Sequence, residues 1–234
     1  MARLPRLVVQ RHLHHVIAFG HNDQPVALDE ADYKAFLNWL RDAAQQSGVA
    51  IHAYVLMPSR LQLLATPADK DSLSKMMQAL GRQYVPYFNT RHRRSGALWE
   101  GRFRATVLDA DIYFIPCAHL IEQQPVRAGI VTDPAAYPWS SYAHHAGVRR
   151  EAWLTDHPAY WALGNTPFDR EASYAQRLGT SLPAGLAAEI DAATRKAWLL
   201  GSEEFRSRLA KLTSRRLAPA RRGRPRKPTE SSEG

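Results

Sequence analysis

Apolar and polar positions switch period repeatedly over the first 130 residues. Leu7 to Val9, then Val16, Ile17 and Phe19, suggest an opening extended segment. Tyr33, Phe36, Leu37, Leu40 and Ala44 recur at intervals of three and four, one face of a helix that Gly48 closes. Val49, Ile51, Ala53, Val55 and Met57 alternate as a half-buried strand does. Pro58-Ser59 makes a tight connection into a strand carrying Leu61, Leu63 and Ala65. Leu73, Met76, Met77, Leu80, Tyr84 and Phe88 form a second helical stripe, with Asp71 or Ser72 as N-cap and Pro86 expected to kink or end it. Trp99, Phe103, Ala105 and Val107 alternate with Glu100, Arg102, Arg104 and Thr106, which predicts a strand with one polar face. A third helix is expected from Asp111 to Gln124, ended by Pro125 and Gly129.

This β-α-β-β-α-β-α order predicts an α+β fold of ferredoxin-like plan. An antiparallel sheet would carry its helices on one face, leaving the other face and an edge for a ligand. Further on, Leu186, Ile190, Ala193 and Ala197 make a helical stripe. Ser202 can cap a last helix that has Glu203 and Glu204 in its first turn and Phe205, Leu209 and Leu212 on one face. We therefore expect a main domain over 1–145, a helical extension over 146–215 and a disordered basic tail over 216–234.

Composition narrows the class. The chain has 234 residues, 45% of them hydrophobic, enough for a substantial core and against wholesale disorder. No apolar run reaches the roughly 18 residues of a membrane span, and the first residues lack a signal peptide's apolar region. A single cysteine, Cys117, fits a reducing compartment, so a cytoplasmic protein is expected. The net charge is +9, and its position matters more than its size. Residues 205–229 hold ten Lys/Arg and no acid, whereas the residues before them are nearly balanced. Such a block reads either as an arm for polyanions or as a plain solvated tail.

Leu56 to Leu64 is the place where chemistry is most expected. Residues at i and i+2 of a strand share a face, so a His-x-His pair there would hold a divalent metal. This chain has Arg60 and Gln62 instead. A guanidinium only donates and stays cationic, so Arg60 repels a metal. His12-x-His14 has ligand spacing but no neighbouring carboxylate, and hydrogen-bonded histidines are the simpler reading. Between Arg82 and Arg104 lie six arginines (Arg82, Arg91, Arg93, Arg94, Arg102 and Arg104) and one acid, Glu100, interleaved with Tyr84, Tyr87, Phe88 and Trp99. That mixture suits a groove in which bases stack and cations follow phosphates; the alternative is an ordinary solvated face over core aromatics. The tail's Arg221-Arg222-Gly223-Arg224-Pro225-Arg226-Lys227 has the make-up of an AT-hook, whose arginines enter the narrow minor groove of A·T tracts. Arg222, Arg224, Arg226 and Lys227 are its candidate contacts.

Four blocks carry a more specific resemblance: Ile51-His52-Ala53-Tyr54-Val55-Leu56-Met57-Pro58, Leu98-Trp99-Glu100-Gly101-Arg102-Phe103, Gln124-Pro125-Val126-Arg127-Ala128-Gly129 and Tyr137-Pro138-Trp139-Ser140-Ser141-Tyr142. In order and spacing they resemble the REP-associated tyrosine transposases, a bacterial branch of the HUH-type single-strand transposases. Trp198 to Phe205 and Gly223 to Lys227 resemble the C-terminal extension of longer members. The resemblance implies the ferredoxin-like sheet, Mg²⁺ or Mn²⁺ as cofactor, and DNA near small hairpins as partner, with the protein at the nucleoid. It also implies a His-x-His metal pair where Arg60 and Gln62 stand. The nucleophilic Tyr belongs five residues before Pro125, where this chain has Leu120, and Gln124 remains as one possible metal ligand. No catalytic position is intact, so we expect no cofactor and no metal site. Leucine has no lone pair to attack phosphorus. Tyr113 lies two turns away on the helix, about 10 Å along its axis, and its apolar neighbours favour a core role. The expectation is a DNA-binding protein without cleavage activity, holding hairpin or single-stranded DNA through the Arg82–Arg104 cluster, Arg60 and Arg127. The alternatives are a transposase with a displaced nucleophile, or a protein-interaction module on the same fold.

Overall fold

The computed structural model describes residues 6–218. Four strands, β1 (Leu13–Phe19), β2 (Val49–Met57), β3 (Arg60–Pro67) and β4 (Arg104–Leu108), form one antiparallel sheet in the order β2-β3-β1-β4. Helix α1 (Glu30–Ser47) precedes β2, α2 (Ser72–Arg91) joins β3 to β4, and α3 (Ala110–Glu122) follows β4. This is the α+β plan the pattern predicts. Asp29 caps α1 by accepting from the Asp32 amide, and Gly48 ends it in the left-handed region at φ 64°.

The expected boundaries shift in three places. Helix α2 continues through Pro86 to Arg91. Pro86 removes the bond to the Arg82 carbonyl, but both residues are exposed, so water can replace it. The strand expected from Trp99 begins only at Arg104, because Gly101, at φ 64°, turns the chain. Trp99 keeps one bridge, to Gly20. Pro125 sits in the first turn of a separate short helix, α4 (Gln124–Arg127).

Alternation assigns the two sheet faces. Val16, Ala18, Tyr54, Leu56, Leu61, Leu63 and Ala65 face α1 and α2, where Phe36, Leu40, Met76, Tyr84 and Phe88 complete a core. The opposite face is not open, as the pattern suggested. There Ala53, Val55, Met57 and Leu64 pack against Phe114, Ala118 and Ile121 of α3 and Ile190 and Ala193 of α8 (Ala184–Lys196). Between α4 and α8 the chain forms α5 (Tyr142–His145), α6 (Pro158–Trp161) and α7 (Pro167–Leu178), and α9 (Glu203–Ala210) follows α8 with Ser202 as N-cap. The extension over 146–215 therefore docks on the sheet.

Both sheet edges are covered, which removes the unpaired strand groups that invite aggregation. At β2 the amide of Leu56 donates to the Trp139 carbonyl, and that of Ser141 to the Tyr54 carbonyl. The Tyr137 hydroxyl donates to the Leu56 carbonyl at 2.7 Å. At β4 the Leu200 amide donates to the Val107 carbonyl and the Asp109 amide to the Leu200 carbonyl. A Cβ at Gly201 would lie 2.8 Å from that of Asp109, which explains the glycine at this crossing.

Candidate nucleic-acid interface

Strand register decides what meets at the second face. Phe19 lies opposite Arg60, and Ile17 opposite both Gln62 and Arg104. Directly opposed residues share a face. Arg60, Phe19 and Arg104 therefore form the end of a row whose inner part is Gln62, Ile17, His15 and Thr106.

The inner part is sealed. Gln62 is 3% exposed, and its amide oxygen lies 3.2 Å from Nε2 of His15, whose Nδ1 is 2.8 Å from the Thr194 hydroxyl of α8. Burial pulls the His15 pKa down to about 4, against the raising effect of Gln62, so a neutral imidazole bridges the two. Arg60 donates through Nη2 to the Gln124 amide oxygen at 2.8 Å, and Gln124 in turn donates to the Leu120 carbonyl at 3.1 Å. The structure thus brings Arg60, Leu120 and Gln124 together. Leu120 is 1% exposed and lines a cavity of about 710 Å³ with His119, Arg127 and Tyr142.

The donor set does not suit a divalent cation. The oxygens of Gln62 and Gln124 are taken by His15 and Arg60, and Arg60 itself adds a positive charge. Among the described residues no group of three or more His, Cys, Asp or Glu is placed to hold a metal ion. His12 and His14 are turned to other uses. Nε2 of His14 accepts from the Val9 amide, Nδ1 lies 2.7 Å from the His12 carbonyl, and Nδ1 of His12 lies 2.8 Å from the Gln10 carbonyl. Tyr113 is buried, and its hydroxyl is 3.4 Å from Glu189. Burial and Glu189 raise its pKa, so it is a poor nucleophile where it stands.

The outer end of the row is basic. The guanidiniums of Arg104 and Arg195 lie 5.6 and 5.2 Å from the Phe19 ring centroid. Burial lowers the pKa of Arg60, opposed by Asp191 and Asp23, with Arg195 and Arg127 adding like charge. Its Nε is buried without a hydrogen-bond partner. Four arginines thus converge where β1, β3, α4 and α8 meet. Phe19, His15, Thr194 and Arg195 were missed in the sequence because no local motif marks them.

The Arg82–Arg104 cluster divides. Arg91 binds Asp29 and Asp32 at 2.6–2.7 Å, tying α2 to the start of α1. Arg94 bonds to Asn89 and Gln24 and lies over Phe88. These two are scaffold. Arg82, Arg93 and Arg102 are exposed, Trp99 is half-buried, and Arg127 is exposed at the end of α4. The tail candidates Arg222, Arg224, Arg226 and Lys227 lie outside the described residues. No described helix is long and apolar enough to cross a membrane.

No family model and no curated protein matches the sequence. Among solved structures, the chain is similar to a REP-associated tyrosine transposase bound to a REP hairpin. The two are 16% identical over 68% of this chain and 93% of that one, with a TM-score of 0.54. A second similar structure is a "putative transposase" from Deinococcus radiodurans R1, 25% identical over 50% of this chain and 94% of that one, with a TM-score of 0.36. The sheet, its order and the helices that enclose it are thus the fold of a REP-associated tyrosine transposase.

Proposed function

We propose that this chain is a transposase-type DNA-binding protein that holds hairpin or single-stranded DNA without cleaving it. One observation carries the reading: the polar row Arg60–Gln124 and Gln62–His15–Thr194 is internally satisfied where strand scission would need a metal and a nucleophile. Phosphoryl transfer rests on charge neutralisation by metal and on a positioned attacking group. Leucine at 120 and a guanidinium at 60 supply neither. The solved relative holds a REP hairpin on the same fold, and the cations at the outer end of the row suit a phosphate backbone. Incubation of the purified protein with labelled hairpin DNA and Mg²⁺ or Mn²⁺ tests the reading. We expect a salt-sensitive complex, no shortened strand and no covalent adduct. A tyrosine-dependent nick would overturn it.

Arg60 is the cation nearest the old centre; it is half-buried and spends one N–H on Gln124, which leaves the rest of its guanidinium for a phosphate oxygen. A charge-assisted bond of this kind contributes about 1.5–3 kcal/mol. Arg60→Ala should weaken hairpin binding at least tenfold and lower the slope of log K against log[salt] by about one. An unaltered slope would remove Arg60 from the phosphate contacts. We place the tail's Arg222, Arg224, Arg226 and Lys227 on adjoining A·T-rich duplex, which truncation after residue 218 tests through loss of A·T preference.

A further inference from the structure

The cavity of about 710 Å³ beside Leu120 is of a size that small-molecule sites have. Leu178, Leu182 and Ala187, from α7, α8 and their connection, line it together with Leu120, Val126 and Pro134. Gln123 joins the two sets by donating to the Leu178 carbonyl at 3.0 Å. Three polar groups of this aliphatic lining are left unused by the fold: the His119 imidazole, the Tyr142 hydroxyl and the Arg127 guanidinium. None of them has a hydrogen bond or ion pair among the described residues. His119 is only 5% exposed, and a buried polar group without a partner costs stability unless something meets it. Burial lowers its pKa, with Glu122 opposing and Arg127 assisting, so the ring is neutral and keeps one N–H to donate. The acid in the lining, Asp133, is exposed and accepts from the Ala135 amide at 2.8 Å.

We infer that this cavity binds a small organic carboxylate with an aliphatic body, of the class of a medium-chain fatty acid. Guanidinium, phenol and imidazole N–H all donate, and an ionised carboxylate only accepts, so the two sets are complementary. Arg127 supplies the opposite charge. The aliphatic side chains call for an apolar body, because each methylene they bury adds to affinity. A bare phosphate or acetate would satisfy the donors and leave that lining unused. The site is independent of the DNA-binding reading, since its second wall comes from α7 and α8 rather than from the sheet.

Isothermal titration of the full chain with octanoate, octan-1-ol and acetate tests it. Octanoate should bind about tenfold tighter than octan-1-ol, the effect of one charge-assisted hydrogen bond, and at least about a hundredfold tighter than acetate, which lacks the chain. Arg127→Gln should remove the difference between octanoate and octan-1-ol. Leu182→Trp, which fills the cavity with an indole, should abolish the binding of both. Methyl NMR spectra of the unsubstituted protein locate the ligand without any variant, and octanoate should shift Val126, Leu178 and Leu182 most. The site is overturned if octanoate binds no better than octan-1-ol, if it shifts methyl groups elsewhere, or if it fails to saturate at millimolar concentration. Undiminished binding by a folded Leu182→Trp variant overturns it as well.

Discussion

Glu122→Ala should cost about 4 kcal/mol of folding stability. Glu122 is 0% exposed and lies at the end of α3. Its carboxyl oxygens accept from the Ser141 hydroxyl, from His145 Nδ1 at 2.7 Å and from the Tyr174 hydroxyl at 2.8 Å. Burial and Glu122 hold the Tyr174 hydroxyl well above its ordinary pKa, so it remains a donor. Alanine leaves the buried donors of His145 and Tyr174 without an acceptor, each costing about 1–3 kcal/mol, and opens a cavity as well, while the Ser141 hydroxyl keeps the Tyr54 carbonyl at 3.3 Å. Natural domains have only about 5–15 kcal/mol to lose. Urea unfolding followed by circular dichroism measures the loss. Glu122→Gln, which keeps an acceptor, should lose about half as much. A midpoint unchanged in Glu122→Ala would show that His145 and Tyr174 find other partners.

That hub explains what the resemblance blocks are for. Ser141 belongs to the Tyr137–Tyr142 block, and its hydroxyl also accepts from the Tyr54 amide at 2.9 Å, so the block fastens the edge of β2 to α3. Leu98–Phe103 extends the pairing of β1, with the His21 amide donating to the Leu98 carbonyl and the Glu100 amide to the Phe19 carbonyl. Gln124–Gly129 presents the acceptor for Arg60 and ends with Gly129 at φ 68°. Motifs that build a scaffold can persist when the chemistry beside them is replaced. They are therefore good evidence for the fold and weak evidence for catalysis.

The legible parts share one physical trait, local periodicity. Residues 33–44 repeat at helical spacing because only one face of α1 is buried, whereas 49–57, expected to be half-buried, are buried on both faces because the strand lies between two layers. The helix-facing layer could be read in this way. The second layer could not, because its contacts join residues remote in sequence. His15 and Thr194 are 179 positions apart, and nothing near either one marks the pairing. Arg91 shows the opposite failure: it reads as part of a basic surface, yet Asp29 and Asp32 occupy its guanidinium. Charge counted along a chain cannot separate a free cation from a bound one.

Acid should unfold this protein at a mild pH, and the sign follows from three histidines. Burial lowers the pKa of His14, His15 and His52 from the ordinary 6.5 to about 4. In the unfolded chain they take up protons near 6.5, whereas in the folded chain they wait until about 4. Between those values the unfolded state holds more protons, so stability falls as pH falls. Each histidine contributes about 1.4 kcal/mol per pH unit within the window, and three give about 4 kcal/mol per unit. Asp29, whose pKa Arg91 depresses to about 2, acts in the same direction only below the ordinary carboxylate range, outside this window. Urea midpoints measured from pH 7 to pH 4.5 should fall steeply below about 6.5, and His15→Gln should flatten the slope by about a third. Hairpin binding gives an independent reading. Protonation of a chain that stayed folded would add positive charge and tighten its hold on DNA, whereas loss of the fold abolishes binding. Binding that strengthens steadily down to pH 4.5, with an unchanged urea midpoint, would mean that these imidazoles are hydrated and that the sealed row around His15 is open to water.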